Sequence, residues 1–307
     1  MENRIIKNHT KALKILQGTI KREKIPHAFL FIGDSYLGKT STAISYAKAL
    51  NCMNSKFLIE NCDICSACVK IGKGIHPDLK IISPEKDTIT VNMIREIEEF
   101  ISLKPLESKY KIVIVREAHK MNLASANAFL KTLEEPPVHT IIILICNNIQ
   151  SLPEPLVSRC FKINFTPLSK DIIEQIIPDS ENKELIIKLI MGRPGLYLTK
   201  DILKEVKWFG DTVGDNIKKA PWKDNEEVKL WIDFFCIVLR DALREKITGE
   251  NDNIMPLKIS IRENVTIENI INLYDKLMEI RKNIDLNLNK AIVWNFTEKI
   301  IRGVINV

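Results

Sequence analysis

Residues 29–51 read FLFIGDSYLGKTSTAISYAKALN, and this stretch decides the fold of the chain. It begins with an apolar run, continues through a segment that fits G-x-x-x-x-G-K-[ST], and ends with apolar residues at helical spacing. A phosphate-binding loop needs this order. Its glycines let backbone N–H groups turn toward phosphate oxygens, and the following helix points its positive end at the same anion. The stretch therefore predicts a strand, a P-loop and a helix rather than a chance match in a lysine-rich chain.

The whole loop forms the predicted nucleotide site. Lys39 would reach the β- and γ-phosphates, and Thr40 would hold Mg²⁺. The residues expected to bind nucleotide are Gly33, Asp34, Ser35, Tyr36, Leu37, Gly38, Lys39 and Thr40. The implied cofactor is ATP or ADP with Mg²⁺.

Whole-chain composition limits the classes of protein that fit. A length of 307 residues favours two or three domains, and an apolar fraction of 45% is enough to form their cores. The net charge of +6 is mild for this length and does not by itself indicate DNA binding. No apolar signal-peptide region follows the first residues, and the longest apolar runs are too short to span a bilayer. We therefore expect a soluble, cytoplasmic protein.

Four of the seven cysteines crowd into residues 52–68. Cys52, Cys62, Cys65 and Cys68 have the spacing C-x₉-C-x₂-C-x₂-C, which in a reducing compartment favours metal over disulfides. Four thiolates complete a tetrahedral Zn²⁺ site, and such a closed site is structural rather than catalytic. The alternative is a group of free buried cysteines, which the polar residues between them disfavour. A short polar segment could hardly fold without the metal.

The apolar run at Lys111–Val115 is typical of a strand in a parallel sheet covered on both faces. In P-loop ATPases this strand ends in an acidic pair, of which the first carboxylate orders Mg²⁺ and the second polarises the attacking water. Here Arg116 stands at the metal position, and Glu117 keeps the second role only if the geometry allows it. A register slip that makes Glu117 the metal ligand is the alternative. The pair therefore argues against efficient ATP hydrolysis by this chain alone.

A second buried strand is predicted at residues 140–145, and it would deliver Asn147 to the carboxyl edge of the sheet. An amide there can sense a γ-phosphate, although a turn-forming pair with Asn148 explains the same residues equally well. Arg159 precedes a last short strand at residues 161–165. It could reach a neighbouring subunit's nucleotide in trans, whereas its spacing alone indicates only a surface arginine.

Helical patterns lie on both sides of this region. Residues from about 5 to 22 carry an amphipathic pattern, and two further helical patterns follow residue 166 before the interruption Gly192-Arg-Pro-Gly195. From about Lys207 onward strand patterns vanish. A stripe at i, i+3, i+4 and i+7 spacing contains Ile267, Ile270, Ile271, Tyr274, Leu277 and Met278. The predicted domain boundaries therefore lie near 166 and 208.

Taken together, these motifs resemble the clamp-loader subunits of bacterial DNA polymerase III, which are AAA+ proteins. The resemblance covers the whole chain and is densest in a set of short segments. These are 25–33 (IPHAFLFIG), the cysteine cluster, 74–78 (GIHPD), 91–96 (VNMIRE), 126–137 (ANAFLKTLEEPP), 158–160 (SRC) and 286–289 (LNLN). The stretch that ends in EEPP and the SRC triplet are highly specific to clamp loaders when they occur together.

The resemblance implies an α/β fold in three domains. Residues 1–166 would form a P-loop AAA+ RecA-like parallel-sheet core with the zinc module at 52–68, residues 167–207 a small helical lid, and residues 208–307 an all-α collar that oligomerises. The complex would use ATP to open the sliding clamp and place it on primer–template DNA. The implied direct partners are the gamma/tau and delta subunits of the loader, and the clamp is an indirect partner.

Motif positions within this resemblance imply roles for single residues. Arg159 would be an arginine finger that acts on the ATP of an adjacent motor subunit, Asn147 would be sensor 1, and the four cysteines would bind zinc. Two departures are Arg116 and the lid motif at residues 192–196, which lacks the usual arginine after its second glycine because Arg193 is displaced.

We therefore expect a non-motor subunit that binds nucleotide, hydrolyses it weakly or not at all, and supplies Arg159 in trans. One alternative is an active ATPase motor of the same loader, similar to gamma/tau. Another is a zinc-ribbon DNA-binding protein, which the few basic residues of the cysteine module and its lack of an aromatic platform disfavour.

Overall fold

The computed structural model describes residues 2–54, 62–214, 220–249, 254–257, 259–286 and 289–306. The chain divides into two compact units. The first comprises Met1–Ile176 with Gly192–Gly195, and the second comprises Ile177–Met191 with Leu196–Val307. The three-part division at residues 166 and 207 stays a prediction.

The first unit is built on a parallel sheet. Its described strands are β1 (Ala28–Ile32), β2 (Leu79–Ile82), β3 (Lys111–Val115), β4 (Thr140–Cys146) and β5 (Phe161–Asn164). They are all parallel, and their order across the sheet is β2-β3-β4-β1-β5. The helices of this unit are α1 (Glu2–Asn8), α2 (Thr10–Lys21), α3 (Lys39–Asn51), α4 (Ser66–Gly72), α5 (Val91–Ser102), α6 (Leu123–Glu134), α7 (Glu154–Ser158) and α8 (Lys170–Ile176).

Helices cover both faces of this sheet. Alternate strand residues point to opposite faces, so Leu30 and Leu144 pack with α5, α6 and α7, whereas Phe31 and Ile143 pack with α2, α3 and α4. Each buried aliphatic or aromatic side chain of this kind stabilises the fold by roughly 1.5–3 kcal/mol. The predicted α/β class with a fully covered parallel sheet is confirmed.

The amphipathic pattern at residues 5–22 forms two helices rather than one. The break lies at His9, which has φ −80° and ψ 59° and is the N-terminal cap of α2. The ring of His9 is buried, and its Nε2 lies 2.5 Å from the carbonyl oxygen of Leu37 in the P-loop. A tertiary hydrogen bond therefore holds the chain where the two helices separate.

The segment at residues 74–78 contains a buried carboxylate that holds a distant loop. The side chain of Asp78 is 1% exposed and accepts hydrogen bonds from the backbone N–H groups of Leu106 (2.7 Å), Glu107 (2.8 Å) and Ser108 (2.9 Å). His76 supports this arrangement, since its Nδ1 accepts from the N–H of Asp78 and its Nε2 lies 3.0 Å from Ser108 Oγ. The loop between α5 and β3 is thus tied to the start of β2.

We expect Asp78→Ala to lower the free energy of unfolding by about 3 kcal/mol, because three backbone N–H groups would lose a charged and buried acceptor. The measurement is urea unfolding followed by circular dichroism. Glu99→Ala, which removes an exposed carboxylate of α5, serves as the control and should change stability by no more than about 0.5 kcal/mol. Equal stabilities for the two variants would contradict the role given to Asp78.

The remaining part of the chain is mainly helical, as predicted. Its helices are α9 (Lys183–Ile190), α10 (Gly195–Thr199), α11 (Ile202–Gly214), α12 (Asn225–Thr248), α13 (Ile267–Asn283) and α14 (Lys290–Val304). Two-residue strands, β6 (Ser260–Ile261) and β7 (Ile305–Asn306), form an antiparallel pair. Of the LNLN segment, Asn287 and Leu288 lie outside the described residues.

An aromatic cluster around α12 forms the core of the second unit. The ring of Trp231 lies 5.4 Å from that of Phe209, 5.3 Å from that of Phe235 and 6.3 Å from that of Trp294. Its indole N–H donates to Thr212 Oγ1 at 2.8 Å, so the buried polar atom is satisfied.

Within the described residues, no helix combines the length and apolar character needed to span a membrane.

Candidate nucleotide and metal sites

Strand register brings the predicted nucleotide residues to one edge of the sheet. Ile32 of β1 pairs with Cys146 of β4, so the P-loop and Asn147 leave adjacent strands at the same level. On the other side of β4, Val115 of β3 pairs with Leu144, and Arg116 follows directly. The carboxyl ends of parallel strands share an edge, which is where α/β proteins bind ligands.

Glycine is required at position 33, at the start of the P-loop, because the backbone there passes close to the segment that follows β5. Its φ is +152°, and a Cβ at this position would lie 2.4 Å from the carbonyl oxygen of Phe165. At the other end of the loop, Gly38 has φ +84° and caps α3. The helix that follows is 13 residues long, so its N-terminus presents backbone N–H groups and positive charge toward the loop.

Lys39 and Asn147 meet at the P-loop. The side chain of Lys39 is buried, and its Nζ donates to the carbonyl oxygens of Gly33 (2.6 Å) and Asp34 (2.6 Å) and to Asn147 Oδ1 (3.3 Å). Thr40, in the first turn of α3, is half-buried. A phosphate that enters the loop would replace these neutral acceptors of the ammonium group with a charged one, which forms the stronger hydrogen bond.

Arg193 does not occupy the usual arginine position of the lid motif, but it lies beside the P-loop. Its Nη1 is 3.6 Å from Asp34 Oδ2, and its side chain is buried. The segment that carries it is fastened by a hydrogen bond of 2.9 Å from the N–H of Gly195 to the carbonyl oxygen of Tyr36. A Cβ at Gly195 would lie 2.6 Å from that oxygen, so only glycine allows this approach.

His9 is a second residue of the site that sequence reasoning missed. Burial lowers the pKa of His9, an effect that its hydrogen bond to Leu37 opposes and the nearby charge of Lys39 reinforces. No local sequence pattern singles out His9, because its hydrogen-bond partner, the carbonyl oxygen of Leu37, lies 28 positions away in the sequence. For Arg193 the signal was its position beside a glycine-rich interruption.

The Glu117 carboxylate is paired with a lysine. Its Oε2 lies 2.7 Å from Lys120 Nζ, and the same ammonium group lies 2.7 Å from Asp87 Oδ1. Burial lowers the pKa of Lys120, but the hydrogen bonds and charges of Asp87 and Glu117 outweigh it, so the net shift is upward. The side chain of Arg116 is exposed, while its backbone N–H donates to Ile82.

The four clustered cysteines converge on one point. Their Sγ atoms all lie within 4.8 Å of one another, with Cys52–Cys62 at 3.4 Å and both Cys52–Cys65 and Cys62–Cys68 at 3.9 Å. A tetrahedral zinc ion with Zn–S bonds of about 2.3 Å places its sulfurs about 3.8 Å apart. Backbone N–H groups of Cys65 and Ile64 lower the pKa of the Cys62 thiol to about 6, whereas burial raises the pKa of the Cys68 thiol. The donor set and its spacing therefore suit a metal ion.

Contacts tie this cysteine cluster to the P-loop helix and to the sheet. Cys52 is the C-terminal cap of α3, so one thiol stands at the far end of the helix that begins at Lys39. Lys48 of α3 pairs with Asp63 at 2.7 Å. On the other side of the cluster, Lys70 of α4 pairs with Glu107 at 2.6 Å, next to the loop that Asp78 holds.

Arg159 lies apart from the P-loop of its own chain. It precedes β5, and β5 pairs with β1 from Phe29↔Phe161 onward, so Arg159 is at the amino edge of the sheet. Its guanidinium group pairs with the carboxylate of Glu134 and donates to the carbonyl oxygen of Pro155 at 2.7 Å. The structure thus brings Lys39 and Asn147 together and keeps Arg159 at the opposite edge.

These features define a P-loop protein with a parallel sheet and a cysteine cluster that could hold a metal ion. The family model described as DNA polymerase III, delta subunit, matches residues 8–169. The chain therefore belongs to this family, and the predicted membership is confirmed.

Two relatives in sequence agree with the family match. The chain is 26% identical over 303 residues to DNA polymerase III subunit delta' of Bacillus subtilis (strain 168), and the alignment covers 91% of this chain and 92% of that protein. It is 37% identical over 170 residues to DNA polymerase III subunit tau of the same organism, covering 55% of this chain and 29% of tau. A gamma subunit-related protein of DNA polymerase III from Thermotoga maritima aligns in structure with a TM-score of 0.43 and 17% identity, covering 95% of this chain and 98% of that chain.

Proposed function

We propose that this chain is a non-motor subunit of the clamp loader of bacterial DNA polymerase III. It helps the ATP-driven loading of the sliding clamp on primed DNA, in the cytoplasm, as part of a complex with gamma/tau and delta subunits. The family match and the similarity to a delta' subunit along 91% of the chain support this role. In the same proposal, residues 167–207 act as a lid and residues 208–307 as the collar that joins the subunits.

The P-loop binds ATP or ADP, with little or no hydrolysis by this chain. Lys39 and the N–H groups at the start of α3 hold the phosphates, and Thr40 would ligate Mg²⁺. The observation that carries the non-motor assignment is Arg116, which directly follows β3 at the edge where the metal carboxylate of an active ATPase stands. A cation there repels Mg²⁺ instead of holding it.

Arg159 acts on a neighbouring subunit rather than on the nucleotide of its own chain. Its place at the amino edge of the sheet, opposite the P-loop, supports this role. Its guanidinium group is about one-third exposed and can exchange the Glu134 carboxylate for a phosphate presented by the neighbour.

The four clustered cysteines hold a structural zinc ion. Their sulfur separations support this assignment, and a closed set of four thiolates leaves no open position for catalysis. The ion would join the end of α3 to the start of α4 through Cys52 and Cys65.

The second candidate function is an active motor of the same loader. The identity of 37% with a tau subunit over 170 residues favours it. A motor requires a carboxylate that orders Mg²⁺ at the end of β3. In this chain Arg116 holds the first position after β3, so Glu117 would have to be that carboxylate. Turnover by the isolated protein distinguishes the two candidates.

The test is a nucleotide-binding titration beside an ATPase assay on the isolated protein. We expect binding with no measurable turnover, and we expect Lys39→Ala to weaken binding at least about tenfold, because it removes a charge-assisted hydrogen bond to phosphate. Lys24→Ala, which removes an exposed lysine before β1, is the control and should bind like the wild type. Turnover of about one per second or faster would support the motor instead.

A further inference from the structure

We infer that Lys120 is a positioning residue that holds the Glu117 carboxylate in an ion pair and thereby blocks ATP hydrolysis independently of Arg116. This inference rests on the proposed nucleotide binding. It assigns a role to a lysine that no motif singles out.

The contact geometry supports a built arrangement rather than a chance surface pair. Lys120 Nζ lies 2.7 Å from Glu117 Oε2 and 2.7 Å from Asp87 Oδ1, so one ammonium group serves two carboxylates. Its side chain is only 23% exposed. The two carboxylates that it joins are more exposed, at 40% for Glu117 and 68% for Asp87, so the ammonium group is the part of the arrangement that is withdrawn from water.

The backbone around the pair is fixed on both sides. Glu117 has φ +49°, a left-handed conformation that a non-glycine residue keeps only when its surroundings enforce it, and the N–H of Lys120 donates to its carbonyl oxygen at 2.8 Å. Asp87 lies in a tight turn in which Glu85 and Thr88 exchange backbone hydrogen bonds of 3.0 Å. The next residue, Ile89, donates to the carbonyl oxygen of Lys120 at 2.9 Å. The three charged groups are therefore brought together by hydrogen-bonded backbone segments.

The chemical consequence follows from what hydrolysis demands of Glu117. The oxygen of the attacking water forms a bond to the γ-phosphorus while the bond from that phosphorus to the β–γ bridging oxygen breaks, which yields ADP and inorganic phosphate. The carboxylate must accept a hydrogen bond, and in the end a proton, from that water. A carboxylate oxygen that already accepts from an ammonium group at 2.7 Å is a weaker acceptor for the water.

The first experiment restores the metal carboxylate and then varies Lys120. Single-turnover ATP hydrolysis is compared for R116D, R116D/K120M and R116D/K120R, with nucleotide binding titrated for each. We expect K120M to raise the rate about tenfold or more over R116D alone, a part of the 10²–10⁴-fold that a positioned base contributes. K120R keeps the ion pair and should leave the rate unchanged. Equal rates in all three proteins, each shown to bind nucleotide, would overturn the inference.

The second experiment needs no nucleotide and separates this inference from the proposed function. Acetylation rates of individual lysines are measured by mass spectrometry in the wild type and in Glu117→Gln. Because an amine must lose its proton to react, Lys120 should be acetylated more slowly than exposed Lys24 in the wild type and several-fold faster in the variant. A rate for Lys120 that matches Lys24 and does not change in Glu117→Gln would refute the ion pair. Failure to bind ATP with this pair intact would refute the proposed nucleotide site and the block on hydrolysis that rests on it, but not the ion pair.

Discussion

Replacing Arg159 by alanine is expected to lower ATP hydrolysis at the adjacent motor subunit of the reconstituted clamp loader by about 10³-fold or more, the range measured for arginine fingers. The guanidinium group would stabilise charge on the phosphates of a neighbouring subunit's ATP in the transition state, and alanine removes this contact. The proposal depends on the position of Arg159 at the sheet edge opposite its own P-loop. The measurement is steady-state ATP turnover of the complex with primed DNA and clamp present.

The same variant should leave the fold of the isolated chain intact. The side chain of Arg159 is 34% exposed and its partner Glu134 is 49% exposed, so loss of the pair should change the free energy of unfolding by no more than about 1 kcal/mol. Arg95→Ala, which removes an exposed arginine of α5, is the matched control and should support full activity of the complex. Wild-type turnover by a complex that contains Arg159→Ala would rule out the finger role.

Replacing Cys65 by serine is expected to abolish zinc binding and to lower the free energy of unfolding by several kcal/mol, since the binding free energy of a structural metal contributes directly to folding. Cys65 is informative because its sulfur accepts a hydrogen bond from the N–H of Cys68 and caps α4. A serine oxygen can keep this cap, so the change reports the loss of the metal ligand. Zinc content per chain and urea unfolding are the two measurements.

Ser66→Ala provides the control within the same helix turn. Ser66 is exposed and next to Cys65, and its replacement should leave zinc content unchanged and stability within about 0.5 kcal/mol of the wild type. The zinc assignment would be refuted by a wild-type protein that contains no zinc and is nevertheless as stable after treatment with a chelator as before it.

The two proposed blocks on hydrolysis differ in how far sequence could predict them. Arg116 is visible in the sequence because its place after an apolar strand has a defined chemical role in P-loop ATPases. The contact of Lys120 with both Glu117 and Asp87 is not visible, since Asp87 lies 33 positions earlier and reaches Lys120 only through the turn after β2. A charge pattern in the sequence indicates which partners are available, but not which of them meet.

The sequence by itself determined the strand, P-loop and helix at residues 29–51, the buried parallel strands, the cysteine spacing and the helical C-terminal part. These features depend on local hydrophobic periodicity and on short motifs, both of which can be read from neighbouring residues in the sequence. Only the tertiary structure decided that His9 and Arg193 border the P-loop, that Asp78 holds the loop before β3, and that Arg159 lies at the sheet edge opposite its own P-loop. Those placements follow from the order and register of the strands, which bring together residues that no local pattern connects.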